Sequence, residues 1–168
     1  DPRTICTKDE LEGIRILPSV IPNYFNASIL IPDSGSSFYK IKEKCAPDMS
    51  YEDFVSEILE NDDFCKDGYE LMIHTANLVS NAYNRLAQIS QECGCGIPNK
   101  SRSTGGQAKN KGWLQFKANT TKVPFQVTAS ADAELTGDAI LALYGMKKYD
   151  SIQQAAEKIV KEVVLSST

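Results

Sequence analysis

The stretch Arg102-Ser-Thr-Gly-Gly-Gln-Ala-Lys-Asn110, followed by Trp113, decides the fold of this chain. Two adjacent glycines stand where a short strand is predicted to end, and a helix is predicted to begin near Asn110. Gly105 and Gly106 lack a Cβ and tolerate positive φ, so the backbone there can approach a ligand closely. A helix N-terminus adds N–H groups and partial positive charge, which suit phosphate or ribose oxygens. The stretch therefore predicts a site for such oxygens, with a plain strand-to-helix turn as the alternative.

The composition of the chain sets outer bounds on its function. Its 168 residues are enough for one domain with a real core, and 42% hydrophobic and 24% charged residues are ordinary for a soluble globular protein. The net charge of −4 argues against a nucleic-acid binder, which usually presents a basic face. No apolar run approaches the roughly 20 residues that a membrane span needs. We therefore expect neither nucleic acid nor membrane as a partner.

The number of cysteines bears on the compartment. The chain has five, an odd number, and no secretory signal is visible, although the chain begins at Asp1 rather than at Met. This pattern fits a reducing compartment better than a disulfide framework, so we expect a cytoplasmic protein. Three Asn-x-Ser/Thr matches are then chance patterns rather than glycosylation sites. The cysteines are Cys6, Cys45, Cys65, Cys93 and Cys95, and the three matches begin at Asn26, Asn99 and Asn119.

Other patterns that carry chemistry are weak. Cys93-Gly-Cys95 and the single His74 fall short of the four ligands of a structural zinc site, so buried thiols at a helix end are expected instead. The acidic cluster between Glu57 and Asp63 is interpreted as a solvated helix end rather than an acid–base pair. No Gly-x-Ser-x-Gly elbow marks a nucleophile. We predict no metal site and no catalytic residue within this chain.

Bulky and basic residues near the glycine turn leave two alternatives open. Trp113 is expected to be a core anchor beneath the turn rather than a stacking surface for a base. Lys109, Lys111 and Lys117 are close enough in sequence to steer a phosphate, but an ordinary surface lysine is the commoner explanation for each.

The first 48 residues predict loops and short strands. Strands are predicted at 14–17 and 28–31, a turn or loop at 33–37, and a short helix at 38–44. From Ser50, which can cap a helix, the pattern becomes helical. The expected organisation is an irregular segment at 1–48 and an α/β lobe at 49–168, within a single domain.

Strands alternate with helices in the second half, which predicts an α/β layer architecture. The predicted elements are a long helix from about Asp67 to Cys93, a strand at 101–104, a helix ending near Asn119, a strand at 123–128, a helix at 135–144 and a last helix capped by Asp150 with an apolar face that extends to Val163. Pro124 predicts an edge or strand-start position. The buried stripe of the long helix is predicted to be Leu71, Thr75, Leu78, Ala82, Leu86, Ile89 and Cys93.

Five short runs follow one another in a fixed order between residues 69 and 163. They are Ser103-Thr-Gly-Gly-Gln-Ala-Lys-Asn110, Trp113-Leu-Gln115, Val123-Pro124, Leu135-Thr-Gly-Asp-Ala139 and Tyr149-Asp-Ser151. Together they resemble the C-terminal domain of the FGGY family of carbohydrate kinases. The resemblance implies a ribonuclease H-like (actin-like ATPase) fold, with this chain as its C-terminal lobe. Gln107 stands where the family usually has a third glycine.

The same resemblance implies an activity and a site. The family transfers the γ-phosphoryl group of Mg²⁺-bound ATP to a sugar hydroxyl, and the acceptor expected here is a ketopentose or ketohexose. Gly105, Gly106 and Gln107 would lie beside the ribose and phosphates, Ala108 would leave room for the base, and Asn110 would face the adenine edge. The nucleotide-binding residues implied are Thr104, Gly105, Gly106, Gln107, Ala108 and Asn110.

The catalytic Asp, the sugar contacts and the first phosphate loop of this family belong to an N-terminal part that these residues do not match. We therefore expect ATP or ADP as the partner of this chain, the sugar to bind through the missing domain, and the isolated chain to be inactive. A lobe cut from its neighbour is expected to expose apolar surface, through which a homodimer can form. The alternative is a non-catalytic actin-like interaction domain.

Overall fold

Helices and two small sheets make up residues 1–128 and 132–165, which the computed structural model of this protein describes. The fold is mixed α/β. In chain order its elements are β1 (Ile14–Pro18), β2 (Phe25–Ile29), α1 (Ser34–Cys45), α2 (Tyr51–Glu60), α3 (Lys66–Glu92), β3 (Ser101–Ser103), α4 (Lys111–Thr121), β4 (Phe125–Thr128), α5 (Ala133–Gly145), α6 (Ile152–Ile159) and β5 (Glu162–Leu165), with short 3₁₀ turns at Pro2–Thr4 and Gly106–Lys109.

The chain divides into two compact units after Pro98. The composition changes near residue 48, but α1 packs against α3, so the N-terminal third belongs to the same unit as the long helix. The assignment of residues 49–168 to one nucleotide-binding lobe stays a prediction.

The first unit is built on an aromatic and aliphatic core between α1, α2 and α3. The rings of Phe38 and Phe54 meet edge to face with centroids 5.5 Å apart, a favoured geometry for aromatic pairs. Phe54, Ile58 and Met72 are fully buried. The helix start predicted at Ser50 is confirmed, since its hydroxyl accepts a hydrogen bond from the backbone N–H of Asp53 at 3.1 Å.

The long helix is confirmed within a residue or so of its predicted bounds, but its buried face differs from the predicted stripe. Of the seven stripe residues only Thr75 and Ile89 are buried. The other buried positions are Gly68, Met72, Ala76 and Ala87. Three of these four are glycine or alanine, because neighbouring helices approach α3 closely, and a stripe drawn from large residues misses such positions.

Two predictions for the N-terminal third are wrong. Residues 34–37, predicted as a turn or loop, form the first turn of α1 after Asp33, whose φ is 56°. The strand predicted at 28–31 lies earlier, at Phe25–Ile29, because β2 is held in antiparallel register with β1, in which Ile14 pairs with Ile29.

The second unit contains a three-stranded sheet in the order β3-β4-β5. β3 runs parallel to the central strand β4, and β5 runs antiparallel to it. Pro124 lies just before β4 and its carbonyl accepts from the N–H of Ser101, so its strand-start position is confirmed. α4 connects the parallel pair and packs against β4.

The end of the second unit corrects the predicted last helix. The cap is Ser151 rather than Asp150, with its hydroxyl accepting from the N–H of Gln154 at 3.1 Å. The helix stops at Ile159, and Glu162–Leu165 pairs with β4 as a strand. The run Val163-Val-Leu165 is rich in β-branched residues, which suits a strand better than the helix that its spacing suggested.

Two helical glycines give a test of the packing around α3. A Cβ added at Gly68 would lie 2.8 Å from Cδ1 of the buried Ile58 and 3.3 Å from the Cys65 sulfur. We expect Gly68→Ala to lower the free energy of unfolding by about 1 to 2 kcal/mol through overpacking. Gly137→Ala is the control, since nothing lies within 4 Å of its Cβ, and it should raise stability by about 0.5 to 1 kcal/mol. Urea denaturation measures both, and equal shifts of one sign would contradict the assignment.

Candidate functional site

The predicted turn leaves β3 through a backbone conformation that favours glycine. Gly105 has φ of +83°, in the region that residues with a side chain rarely adopt. A single 3₁₀ turn follows, in which the N–H of Ala108 donates to the carbonyl of Gly105 at 3.1 Å and that of Asn110 to the carbonyl of Gln107 at 3.3 Å. These bonds bring the six predicted residues together at one corner between β3 and α4.

The corner is open. A Cβ built on Gly105 or Gly106 meets no atom within 4 Å apart from the chain neighbours of each glycine, so within residues 1–128 and 132–165 no more distant side chain fills the space beside them. Thr104 and both glycines are exposed, Gln107 and Ala108 are half-buried, and Asn110 is buried. Main-chain polar groups at this corner are therefore approachable from outside.

Asn110 has one hydrogen-bonding group engaged and one without a partner. Its Oδ1 accepts from the backbone N–H of Trp113 at 2.8 Å, which caps α4. Its Nδ2 is buried and has no hydrogen-bond partner within the described structure. Leaving a buried donor unpaired costs about 1 to 3 kcal/mol, so such a group calls for an explanation. The predicted contact with a base edge stays a prediction, and only the donor half of the amide is open to it.

Trp113 of α4 holds the turn against the helix through a side-chain hydrogen bond. Its indole Nε1 donates to Oε1 of Gln107 at 3.0 Å, and its ring stacks on Phe116 with centroids 5.8 Å apart. Only 4% of Trp113 is exposed, which confirms it as a core anchor. The oxygen of Gln107 is thus committed inward, a link between residues six apart that no periodic pattern in the sequence predicts.

Lys117 corrects the expectation of three surface lysines. Lys109 and Lys111 are exposed, but Lys117 is only 6% exposed, and its Nζ lies 5.0 Å from the centroid of the Trp113 ring. Burial lowers the pKa of this ammonium to about 8, because a charged group is disfavoured away from water. A cation over an indole face recovers part of that cost.

Other predicted chemistry is dispersed. His74 is exposed on α3, and Cys95 is exposed while Cys93 is half-buried, so the expectation of buried thiols at that helix end is wrong. The buried thiols are Cys6 and Cys65, and burial raises the pKa of Cys65 to about 11, which keeps it protonated at neutral pH. Among the described residues, no three His, Cys, Asp or Glu side chains are grouped so as to hold a metal ion.

A surface depression of about 340 Å³ lies in the second unit beside the first strand of its sheet. Arg102 of β3 lines one part of it, and Ala156, Glu157 and Val160 line the rest. None of these residues belongs to the predicted set at 104–110, so this depression and the glycine corner are separate features.

A comparison with known proteins gives a partial likeness. No family model matches the chain. An L-fuculokinase of Haemophilus influenzae (strain ATCC 51907 / DSM 11121 / KW20 / Rd) is 31% identical over 85 residues, which make up 50% of this chain and 17% of that protein. The chain thus matches less than a fifth of the length of this curated relative. The likeness suggests a relationship to sugar kinases for the matched half of the chain.

In residues 1–128 and 132–165, no helix combines the length and the apolar character that crossing a membrane requires.

The buried lysine predicts a pH dependence of stability. Its pKa is lowered on folding from the ordinary 10.5 to about 8, so between these values the unfolded chain binds more protons at this site than the folded chain. The contribution of Lys117 to the free energy of unfolding should therefore rise with pH from about 8 to about 10.5, by on the order of 3 kcal/mol. The difference in stability between the wild type and Lys117→Met, from urea denaturation at each pH, isolates this contribution.

The exposed Lys111 is the matched control, because Lys111→Met removes the same charge from the same helix. Its difference from the wild type should stay flat over this range. A flat difference for Lys117→Met as well would mean that the ammonium is solvated.

Proposed function

We propose that this chain is the ATP-binding C-terminal lobe of an ATP-dependent sugar kinase with a ribonuclease H-like (actin-like) fold. The full enzyme would transfer the γ-phosphoryl group of ATP to a hydroxyl of a ketopentose or ketohexose. The partial likeness to an L-fuculokinase supports a sugar-kinase origin. The mixed α/β fold with small sheets is compatible with the proposed fold class.

The observation that carries the proposal is an open main-chain corner next to an unpaired buried donor. Gly105 and Gly106 leave space where any other residue would place a Cβ, and Nδ2 of Asn110 has no partner within the described structure. A nucleotide supplies what both features need, since its phosphate and ribose oxygens accept from main-chain N–H groups and its base carries acceptors on its edge. The N-terminus of α4 adds partial positive charge beside this corner.

The residues of the corner fit a nucleotide better than they fit a metal ion. Mg²⁺ prefers carboxylates, phosphate oxygens and water, and none of the six residues carries a carboxylate. In the proposed enzyme, Mg²⁺ would be held by residues of the other lobe and would stabilise the negative charge of the phosphates. The general base would also come from that lobe, and this chain would bind and orient the nucleotide.

The substitution Gly106→Ala tests whether a nucleotide lies against the main chain at the corner. A Cβ at position 106 lies in open space in the free protein, so Gly106→Ala should leave the free energy of unfolding within about 0.5 kcal/mol of the wild type. A nucleotide lying against the main chain would meet that methyl, so ADP should bind at least about tenfold more weakly, the equivalent of about 1.4 kcal/mol. Titration of ¹⁵N-labelled protein with ADP measures the affinity, and the shifts should be confined to residues 104–110.

The wild type is expected to bind ADP with a dissociation constant on the order of 1 mM, because one lobe supplies only part of the contacts. Gly137→Ala, whose Cβ also meets open space, is the control and should bind as the wild type does. No shifts at 104–110 at several millimolar ADP would contradict the proposal and favour the non-catalytic interaction domain.

The isolated chain is expected to have no sugar-kinase activity. Phosphoryl transfer depends on positioning and charge stabilisation from both lobes together with Mg²⁺. A coupled ADP-release assay with MgATP and a panel of ketopentoses and ketohexoses should give the rate of the blank. Turnover that depends on one of these sugars, and that persists in a repurified sample, would show that the catalytic groups lie within these residues.

A further inference from the structure

An apolar stripe runs along α5 and is exposed among the residues that the structure describes. Four residues spaced by four, three and four positions lie on one face of α5, the last of them being the residue directly after the helix. They are Leu135, Ala139, Ala142 and Met146. All four are exposed, Leu135 by 66% and Met146 by 65%. Ile140, about a third of a turn from the centre of the stripe, is the buried residue of α5. The helix therefore buries Ile140 and leaves an apolar stripe exposed, and two further exposed apolar residues, Leu141 and Tyr144, lie outside that stripe.

The stripe has the same order of long and small side chains in both chain directions. Leu135 and Met146 are equally distant from the midpoint between residues 140 and 141, and so are Ala139 and Ala142. Two copies of this face placed antiparallel would set each long side chain at the end of the stripe against its counterpart and the alanines at the centre. Small central residues let two helix backbones approach closely. A face that is complementary to itself under a two-fold rotation is what a symmetric dimer requires.

The charges beside the stripe have opposite signs at its two ends, and Glu134 and Lys147 are equally distant from the same midpoint. Glu134 and Asp138 are exposed on the N-terminal half of α5, and Lys147 and Lys148 are exposed just after its end. Antiparallel pairing brings the acidic half of each copy to the basic end of the other, twice per dimer. The helix dipoles are also opposed in this arrangement. Parallel pairing would instead set like charges against each other.

The geometry points to α5 as the interface of an antiparallel homodimer of this chain, formed around a two-fold axis near residues 140 and 141. One pair of 13-residue helices makes a small interface. The dimer is therefore weak, with a dissociation constant on the order of 10 to 100 µM. Nucleotide has no part in this contact, so the dimer and the proposed function stand or fall separately.

The first test places a charge at the centre of the stripe. Ala142→Glu would bury a carboxylate beside its symmetry mate, so dimer affinity should fall by at least about 30-fold. Leu30→Glu is the control, since Leu30 is 81% exposed on the other unit and adds the same charge away from α5. Sedimentation velocity from 10 µM to 1 mM measures the self-association of the full 168-residue chain without nucleotide.

The second test exchanges the charges at the two ends. Reversing the acidic pair alone (Glu134→Lys with Asp138→Lys) or the basic pair alone (Lys147→Glu with Lys148→Glu) sets like charges together, and each should weaken the dimer by about three- to tenfold. The fourfold exchange restores opposite charges and should recover affinity to within about threefold of the wild type. Far-UV circular dichroism of each variant checks that α5 stays folded.

The outcomes separate cleanly. Weakening by Ala142→Glu but not Leu30→Glu, with recovery in the fourfold exchange, supports the antiparallel dimer. A wild type that is monomeric at 1 mM overturns it. So does a dimer that Ala142→Glu leaves unchanged, or a folded fourfold variant that stays as weak as either half-exchange.

Discussion

The geometry of the second unit at its glycine corner depends on the two N–H groups of Trp113. The backbone N–H donates to Asn110 and the indole N–H donates to Gln107, so one residue in the first turn of α4 fixes both the last residue of the turn and its middle. Because the ring is buried against Phe116, these donors cannot move without opening the core. The outer side of the turn is open at Gly105 and Gly106, and the hydrogen bonds from Trp113 hold the turn from its inner side.

The face of α4 that carries Trp113 also buries polar groups, which lowers the stability of the fold. Asn110, Trp113 and Lys117 are spaced by three and four residues, so the face of α4 that enters the core carries an unpaired amide nitrogen and a buried ammonium. A core face made only for stability would hold apolar groups at these places, since unpaired polar groups are penalised away from water. Polar groups kept at such a cost are found where a protein meets a ligand or a partner, because the partner then supplies the missing interaction.

What the sequence could predict depended on whether a signal was local. The long helix follows from its periodicity, and the cap at Ser50 follows from a residue that satisfies a backbone group within one turn. The start of α4 near Asn110 is also predicted, but the role of Asn110 as its cap is not. β5 was missed because Val160 and Val163 continue a helical spacing that the sheet overrides. The burial of Lys117 and the unpaired nitrogen of Asn110 depend on how α4 packs, which no spacing within one helix reveals. The sequence predicts which residues form the corner, but it does not predict that the side-chain oxygen of Gln107 accepts a hydrogen bond from Trp113.

The glycines of this chain are required for different reasons. Gly68 is required by packing, because a neighbouring side chain occupies the place of a Cβ, and Gly105 is required by its backbone angle. Gly106 is required by neither, since its Cβ would stand in open space at an ordinary φ. Gly137 is equally free, so a dispensable glycine is not by itself a sign of a site. What distinguishes Gly106 is its position between a glycine with positive φ and a helix whose cap residue keeps a donor unpaired. Within the described fold nothing uses the space that this glycine leaves, and a molecule that lies against the main chain there would use both the space and the donor.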